Sequence, residues 1–328
     1  MQAFEYAAPA TVQEALGLLA RRWGEVDILA GGTDLLGLMK DYIHTPRRVV
    51  NIKGIQELKG IQKTPAGLRI GALVTLEELA GDPAVGAAYP SLTAAARGVS
   101  SLQIRNLGTI GGDLCQRPRC WYFRLGYGLL AKDASGRSLP PNGDNRYHAI
   151  FGNQGAACFV SASSFGPPLV ALGATVKLAS AAGRRELPIE KFFVIPLDDS
   201  AREIALRPNE IVTEIVIPPA AGVRNATYEV RQKTAIDWPL VTASVALKMK
   251  GNLVASARIV LGHVAPIPWR AAAAEAAVAG KALTSPLAEE AGKAATEGAA
   301  PLSGNGYKVQ LVHAAVKRAL LEAARVKA

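Results

Sequence analysis

Two glycine pairs constrain this chain more than any other feature. Residues 29–40 read LAGGTDLLGLMK, and residues 105–124 read RNLGTIGGDLCQRPRCWYFR. Each pair is flanked by small polar residues and framed by apolar ones. Glycine lacks a Cβ and enters φ > 0 freely, so a backbone built on Gly31-Gly32 or Gly111-Gly112 can approach a ligand closely. Two such turns meeting in space would offer a set of N–H donors to a pyrophosphate. A lone Gly-Gly pair marks an ordinary tight turn. Two pairs of matching chemistry, each beside a strand pattern, point to a dinucleotide site.

The 328 residues leave room for two or three domains, and a hydrophobic content of 49% suits a sizeable core. No run of about 20 apolar residues occurs, so a membrane span is not expected. The start, MQAFEYAAPATVQEALGLLARRWGE, lacks a basic n-region and has amphipathic-helix spacing. A cytoplasmic location is therefore expected, with co-export to the periplasm beside a signal-bearing partner left open. Three cysteines, Cys115, Cys120 and Cys158, are too few and too odd in number for a disulfide framework. They read as buried free thiols. The net charge of +10 is scattered, as at Arg47-Arg48 and Arg184-Arg185, without aromatic interleaving. That pattern speaks for a solvated surface or an acidic partner subunit rather than nucleic acid.

Thr11 reads as the N-cap of a helix over 11–22, and Val26–Leu29 as a strand entering the first glycine turn. A short helix over 34–40 and a strand over Arg48–Ile52 complete a small α/β unit. The next stretch carries a strand at Leu68–Ile70, a helix opening at Thr75, and helical spacing over 91–104. AACFV and ATVKLAS within 156–180 read as strands, and Ile211–Pro218 alternates as a half-buried strand does. Residues 124–150 are polar and turn-rich, and so read as a long excursion. From about 222, strands joined at Gly251-Asn252 give way to Ala-rich helices over 270–280, 286–298 and 307–327.

Other chemistries find no support. His44, His148, His263 and His313 show no ligand spacing. No G-x-S-x-G elbow, Walker loop or G-x-G-x-x-G follows a strand. Three cysteines cannot supply the four thiolates of an all-cysteine cubane.

The order of motifs resembles the FAD-binding medium subunit of the xanthine dehydrogenase and carbon monoxide dehydrogenase (molybdenum hydroxylase) family. LAGGTDLLGLMK, VVNIKGIQELKGI, LRIGALVTLEELA, IRNLGTIGGDL, LVALGATVKL, NEIVTEIVIP and GHVAPIPWRAA fall in the family's order along nearly the whole chain. QRPRCWYFR and NRYHAIFG look most like the aldehyde oxidoreductase branch. The resemblance implies an α+β chain. An FAD-binding fold of the vanillyl-alcohol-oxidase-like, PCMH type would have two subdomains, 1–55 and 56–219, with a loop excursion at 115–155. A smaller α+β domain would follow over 222–328.

The resemblance also implies FAD lying extended between the subdomains. Leu29, Ala30, Gly31, Gly32, Thr33, Asp34 and Leu35 would meet it from one side. Asn106, Thr109, Ile110, Gly111, Gly112 and Asp113 would meet it from the other. Val212 falls where the family places an apolar residue near the flavin, and Tyr122 joins this set. Ser164 stands where part of the family has a cofactor-binding Asp. Glu229 follows Tyr228 where a lysine is common, with Arg231 and Lys233 close by; a carboxylate there would tend to lower the flavin potential. Molybdopterin and [2Fe–2S] clusters are expected only on a large and a small partner subunit of a heterotrimer, with electrons passing through FAD to an external acceptor. The extra [4Fe–4S] cluster of some relatives is expected to be absent, because 124–150 holds no cysteine. No catalytic residue is implied. The alternative is a stand-alone FAD-dependent oxidase, with Glu229 or Tyr122 as its base; a scaffold subunit that has lost FAD is a third reading.

Overall fold

The structure is a computed structural model that describes residues 1–99, 101–233 and 236–326. Among the described residues, twelve strands form three sheets. Strands β1 (Glu5–Ala7), β2 (Val26–Leu29) and β3 (Arg48–Asn51) make a parallel sheet in the order β1-β3-β2. Thr11 caps the helix Val12–Gly17 by accepting from Glu14 N at 3.1 Å, and this helix buries Val12, Ala15 and Leu16. The helix stops well short of residue 22: Leu18 N turns back to Ala15 O at 3.1 Å, and Leu18 and Leu19 pack on the core from outside the helix.

Strands β4 (Ile61–Thr64), β5 (Gly67–Gly71), β6 (Thr175–Ser180), β7 (Gly183–Pro188) and β8 (Ile211–Ile217) form an antiparallel sheet in the order β4-β5-β8-β6-β7. Its apolar face carries Leu68, Ile70, Val176, Leu178, Ile215 and Ile217. These pack on helices between residues 76 and 115 and on the helix Gly166–Ala171. Thr75 and Glu78 close a capping box at the start of the helix Leu76–Gly81. The expected 91–104 helix is two helices, Pro90–Gly98 and Leu102–Leu107, the second capped by Ser101 accepting from Ile104 N.

The stretch 156–180 differs from its reading. AACFV at 156–160 joins no ladder; it runs as irregular chain, with Cys158 O accepting from Ala149 N at 2.9 Å. Gly166–Ala171 is a buried helix, and Pro167-Pro168 stands in its first turn, where missing N–H groups cost nothing. Only the ATVKLAS part is a strand, β6.

Strands β9 (Val223–Val230), β10 (Val241–Lys250), β11 (Leu253–Gly262) and β12 (Trp269–Arg270) form the third sheet, antiparallel in the order β12-β11-β10-β9. The β10–β11 hairpin turns at Gly251, whose φ of +62° suits glycine. Helices Ala272–Val278, Ser285–Ala294 and Tyr307–Ala324 cover this sheet over a core that includes Val245, Leu247, Ile259, Val312 and Leu320. The expected helix to 327 and domain to 328 run, at their ends, outside the described residues.

The excursion is held at both ends. Arg124 donates to Asp34 beside the first glycine turn at 2.8 Å. Near its far end, Asn145 donates to Ser303 Oγ at 3.0 Å, and Tyr307 donates to Arg146 O at 2.8 Å. It therefore straps the first sheet's turn to the last helix. No helix among the described residues is long and apolar enough to cross a membrane.

Candidate functional site

The two glycine turns meet. A Cβ on Gly31 would fall inside contact distance of the Leu107 carbonyl and 3.0 Å from Gly108 Cα. Only glycine at 31 lets the backbones pass this closely. Gly32, with φ of +77°, turns the chain from β2 into the helix Leu35–Lys40. Between the turns opens a cleft of about 470 Å³.

The turns are not equivalent. At the second, Gly111 N donates to Ala72 O at 3.0 Å, Ile110 N to Val74 O at 3.0 Å, and Gly112 N to Thr109 Oγ1 at 3.1 Å. Those amides are committed to holding the turn against the second sheet. At the first, the N–H groups of Gly31, Gly32, Thr33 and Asp34 have no partner among the described residues. Four consecutive unspent donors at one lip of a cleft suit an anion. The second turn contributes close approach and the Thr109 side chain more than free amides.

Asp34 anchors the site. Its carboxylate accepts from Arg117 N at 2.7 Å and Arg124 Nη2 at 2.8 Å, and lies 3.3 Å from Arg119 Nη2. Burial would raise its pKa, but Arg119, Arg124 and the Arg117 amide outweigh burial and hold it below the usual carboxylate value. The clamp brings Arg117 and Arg119 to the cleft wall. Burial lowers both guanidinium pKa values, that of Arg117 to about 10, and Arg119 keeps a buried Nε without a hydrogen-bond partner. Arg117 lies 3.1 Å from Glu203, and Arg202 stacks on Trp23 at 4.3 Å. Arg119 stacks on Trp238 at 4.8 Å.

Asp113 does different work from Asp34. It is buried and accepts from Ser163 Oγ at 2.5 Å, Phe165 N at 3.1 Å, Ser164 N at 3.3 Å and Gln116 Nε2 at 2.8 Å. Burial raises its pKa to about 6 against those bonds. Its side chain braces the second glycine turn against the 163–165 turn, which brings Ser164 to the cleft wall.

Most residues expected at the site line the cleft: Ala30 through Leu35 from one side, Thr109, Gly111, Gly112 and Asp113 from the other, with Ser164 and Val212 between them. Five do not. Leu29 packs beneath Gly32, Ile110 is fully buried in the core, and Asn106 points to solvent on its helix. Tyr122 packs its ring on His148 at 5.7 Å between centroids. Glu229 is buried in an ion pair with Arg231, against Gly98. Its Oε2 pairs with Arg231, while Oε1 is buried without a hydrogen-bond partner. Neither candidate base of the oxidase reading reaches the cleft wall.

Sequence reasoning missed Trp23, Arg117, Arg119, Arg202 and Trp238, all on the wall. Arg117 and Arg119 carried a usable signal, two cations directly after a glycine turn. Trp238 and Arg202 carried none, since each reaches the cleft only through the tertiary fold. Among the described residues, no group of three His, Cys, Asp or Glu side chains is placed to hold a metal.

A family model described as the FAD binding domain in molybdopterin dehydrogenase matches residues 2–220. A second, the CO dehydrogenase flavoprotein C-terminal domain, matches 226–323. The chain is 30% identical over 321 residues to the carbon monoxide dehydrogenase medium chain of Hydrogenophaga pseudoflava, covering 97% of this chain and 96% of that one. It is 34% identical over 279 residues to the aldehyde oxidoreductase FAD-binding subunit PaoB of Escherichia coli, covering 84% and 86%. Among solved structures, a carbon monoxide dehydrogenase from Hydrogenophaga pseudoflava superposes with a TM-score of 0.76 at 32% identity, over 99% of each chain. The quinoline 2-oxidoreductase of Pseudomonas putida 86 gives 0.77 at 26%, over 99% and 98%.

Proposed function

The chain belongs to the FAD-binding medium-subunit family of molybdenum hydroxylases, and from that premise we propose that it carries FAD in the cleft between its two glycine turns and passes electrons for a heteromeric complex. The observation that carries this reading is the pairing of close-packed turns with unspent amides at Gly31–Asp34. A backbone cradle of this kind matches a pyrophosphate, and the buried Arg117 and half-buried Arg119 add the positive charge that uncharged amides lack. FAD supplies, when bound, an electron store that fills singly and empties singly or in pairs.

The residues of the chain do the rest. The Ala30–Leu35 turn would hold the phosphates, Thr109 and Gly112 would close on them, and Val212 and Ser164 would line the path beyond. Asp34 sets the position of Arg117, Arg119 and Arg124 relative to the turn. We read 1–55 and 56–219 as the two FAD-binding subdomains, with the excursion at 115–155, and 222–328 as the C-terminal domain. Partners would be a molybdopterin-binding large subunit and a [2Fe–2S] small subunit, with an external acceptor. Three cysteines leave no set of four thiolates for a [4Fe–4S] cluster on this chain.

The test is an absorption spectrum of the purified chain with cofactor release and iron analysis. Flavin bands with one FAD per chain and no iron support the reading. A colourless chain that cannot be reconstituted with FAD overturns it, and flavin accompanied by about four irons overturns the cysteine argument.

A further inference from the structure

A second cavity, of about 190 Å³, lies beside the large cleft, and Arg119 and the Asp237–Pro239 segment line both. Its walls are largely aromatic: Trp121, Tyr147, Phe159 and Trp238, with the imidazoles of His148 and His263. At its inner end stands Lys308, 1% exposed. Its Nζ donates to Tyr147 O at 2.9 Å, His148 O at 3.1 Å and His263 O at 2.8 Å. Those carbonyls satisfy its hydrogens, yet no carboxylate among the described residues pairs with its charge. A buried cation without a counter-charge is costly to keep.

His263 adds a second, independent observation. The residue is 3% exposed, holds a left-handed φ of +62°, and sets Nδ1 3.0 Å from Thr242 Oγ1. Nε2, the remaining ring nitrogen, is buried without a partner. Strained backbone and an unmatched polar atom at one residue are expensive, and such costs gather at binding sites. Arg119, whose buried Nε also lacks a partner, stands where the two cavities adjoin. The one carboxylate on the wall, Asp237, is already engaged by Lys233 N and Trp238 N, each at 3.0 Å.

We propose that this cavity is a binding site for a small planar organic carboxylate. The anion would answer the unpaired charge of Lys308 and the free nitrogen of His263, and the flat body would lie among the aromatic walls. A metal ion suits the cavity poorly. Cys120 Sγ and His148 Nε2 satisfy each other at 3.2 Å, and Lys308 would repel a cation. An occupant would touch Trp238 and Arg119, so its presence would be felt in the large cleft. The proposal does not depend on what fills that cleft.

Benzoate is the probe, titrated into the purified full chain by calorimetry, with the fluorescence of Trp121 and Trp238 as a second signal. The expected result is saturable binding of one benzoate per chain, with neutral benzamide about tenfold or more weaker because it cannot answer the buried cation. Val160→Phe, which places a ring in the cavity, is expected to abolish benzoate uptake without changing FAD content. Three results would each overturn the proposal: no saturable uptake up to about 10 mM benzoate, equal binding of benzamide, or unchanged binding by a folded Val160→Phe chain. The benzamide comparison needs no variant and decides the matter even if Val160→Phe fails to fold.

Discussion

Gly31→Ala is the sharpest perturbation the site allows. The added methyl meets the Leu107 carbonyl and Gly108 Cα, which are backbone and cannot swing aside as a side chain would. The two turns must part by on the order of 1 Å, at an overpacking cost of about 1–3 kcal/mol. That movement withdraws the unspent amides from the second turn. If two hydrogen bonds to a phosphate are lost, at about 1.5 kcal/mol each, FAD affinity falls by about 3 kcal/mol, or roughly a hundredfold. Gly37→Ala is the internal control. It sits in the adjoining helix Leu35–Lys40, and a Cβ there meets nothing within 4 Å. Replacing a helical glycine by alanine is expected to stabilise by up to about 1 kcal/mol and leave FAD affinity unchanged. Apo protein is titrated with FAD by fluorescence quenching, and thermal unfolding is followed in parallel. If folded Gly31→Ala binds FAD as tightly as wild type, contact between the turns does not build the site.

Other expectations follow from the same contacts. Asp34→Asn is expected to cost about 3 kcal/mol in denaturant unfolding, because it leaves Arg119 and Arg124 without their counter-charge; the pKa of Asp34 is held below 3.8 in the fold, so its contribution is present above that value and fades as pH falls through the lower folded value. Asp113 has the opposite sign: its folded pKa of about 6 exceeds 3.8, so its contribution is full in acid and is lost as pH rises through 6. The stability advantage of wild type over Asp113→Asn is therefore expected to shrink between pH 4 and 7, and a gap that widens refutes the assignment. Thr109→Ala removes the acceptor for Gly112 N and is expected to cost about 1 kcal/mol, read as a lower midpoint in urea. Arg119→Gln is expected to weaken FAD binding by about tenfold and to flatten its salt dependence, whereas unchanged titrations at two salt concentrations would remove Arg119 from the site.

The parts of this fold that were legible in the chain are those where local chemistry and tertiary role agree. Val26–Leu29 is an apolar run closed by glycines, and it is β2 entering the first turn. A helix opening at Thr75 is legible in the chain, and the helix Leu76–Gly81 starts there, closed by a capping box with Glu78. Where local and tertiary demands part, the reading failed. AACFV has strand composition but no neighbouring strand to pair with, so it stays irregular. PPLVA is equally apolar, yet its prolines suit a helix start and remove ladder donors. The same logic governs the site. Gly31 and Gly32 could be found because glycine is itself the signal. Lys308 lies in the Ala-rich helical stretch 307–327 with nothing local to mark it; its burial appears only when the excursion's carbonyls at 147 and 148 are folded over it. Glu229 was placed by analogy with a lysine; that analogy carried no signal of its ion pair with Arg231, two residues on along the same segment.

The cleft's own carboxylates bear on which kind of flavoprotein this is. Five line it, and each is spoken for: Asp27 by His44 at 3.0 Å, Asp34 by the arginine cluster, Asp113 by the 163–165 turn, Glu210 by Arg185 at 2.6 Å, and Asp237 by its neighbouring amides. A flavin oxidase that removes hydrogen from its own substrate needs a base in reach of that substrate. Here the acidic groups are committed to holding loops and cations in place, and Tyr122 and Glu229 lie off the wall. A site whose charges are spent on structure can position a cofactor and set its electrostatic surroundings without taking part in proton chemistry. That division of labour is what a medium subunit requires if the bond-breaking step belongs to another polypeptide. Turnover of an aldehyde by the purified chain alone, with no metal-bearing subunit present, would contradict it.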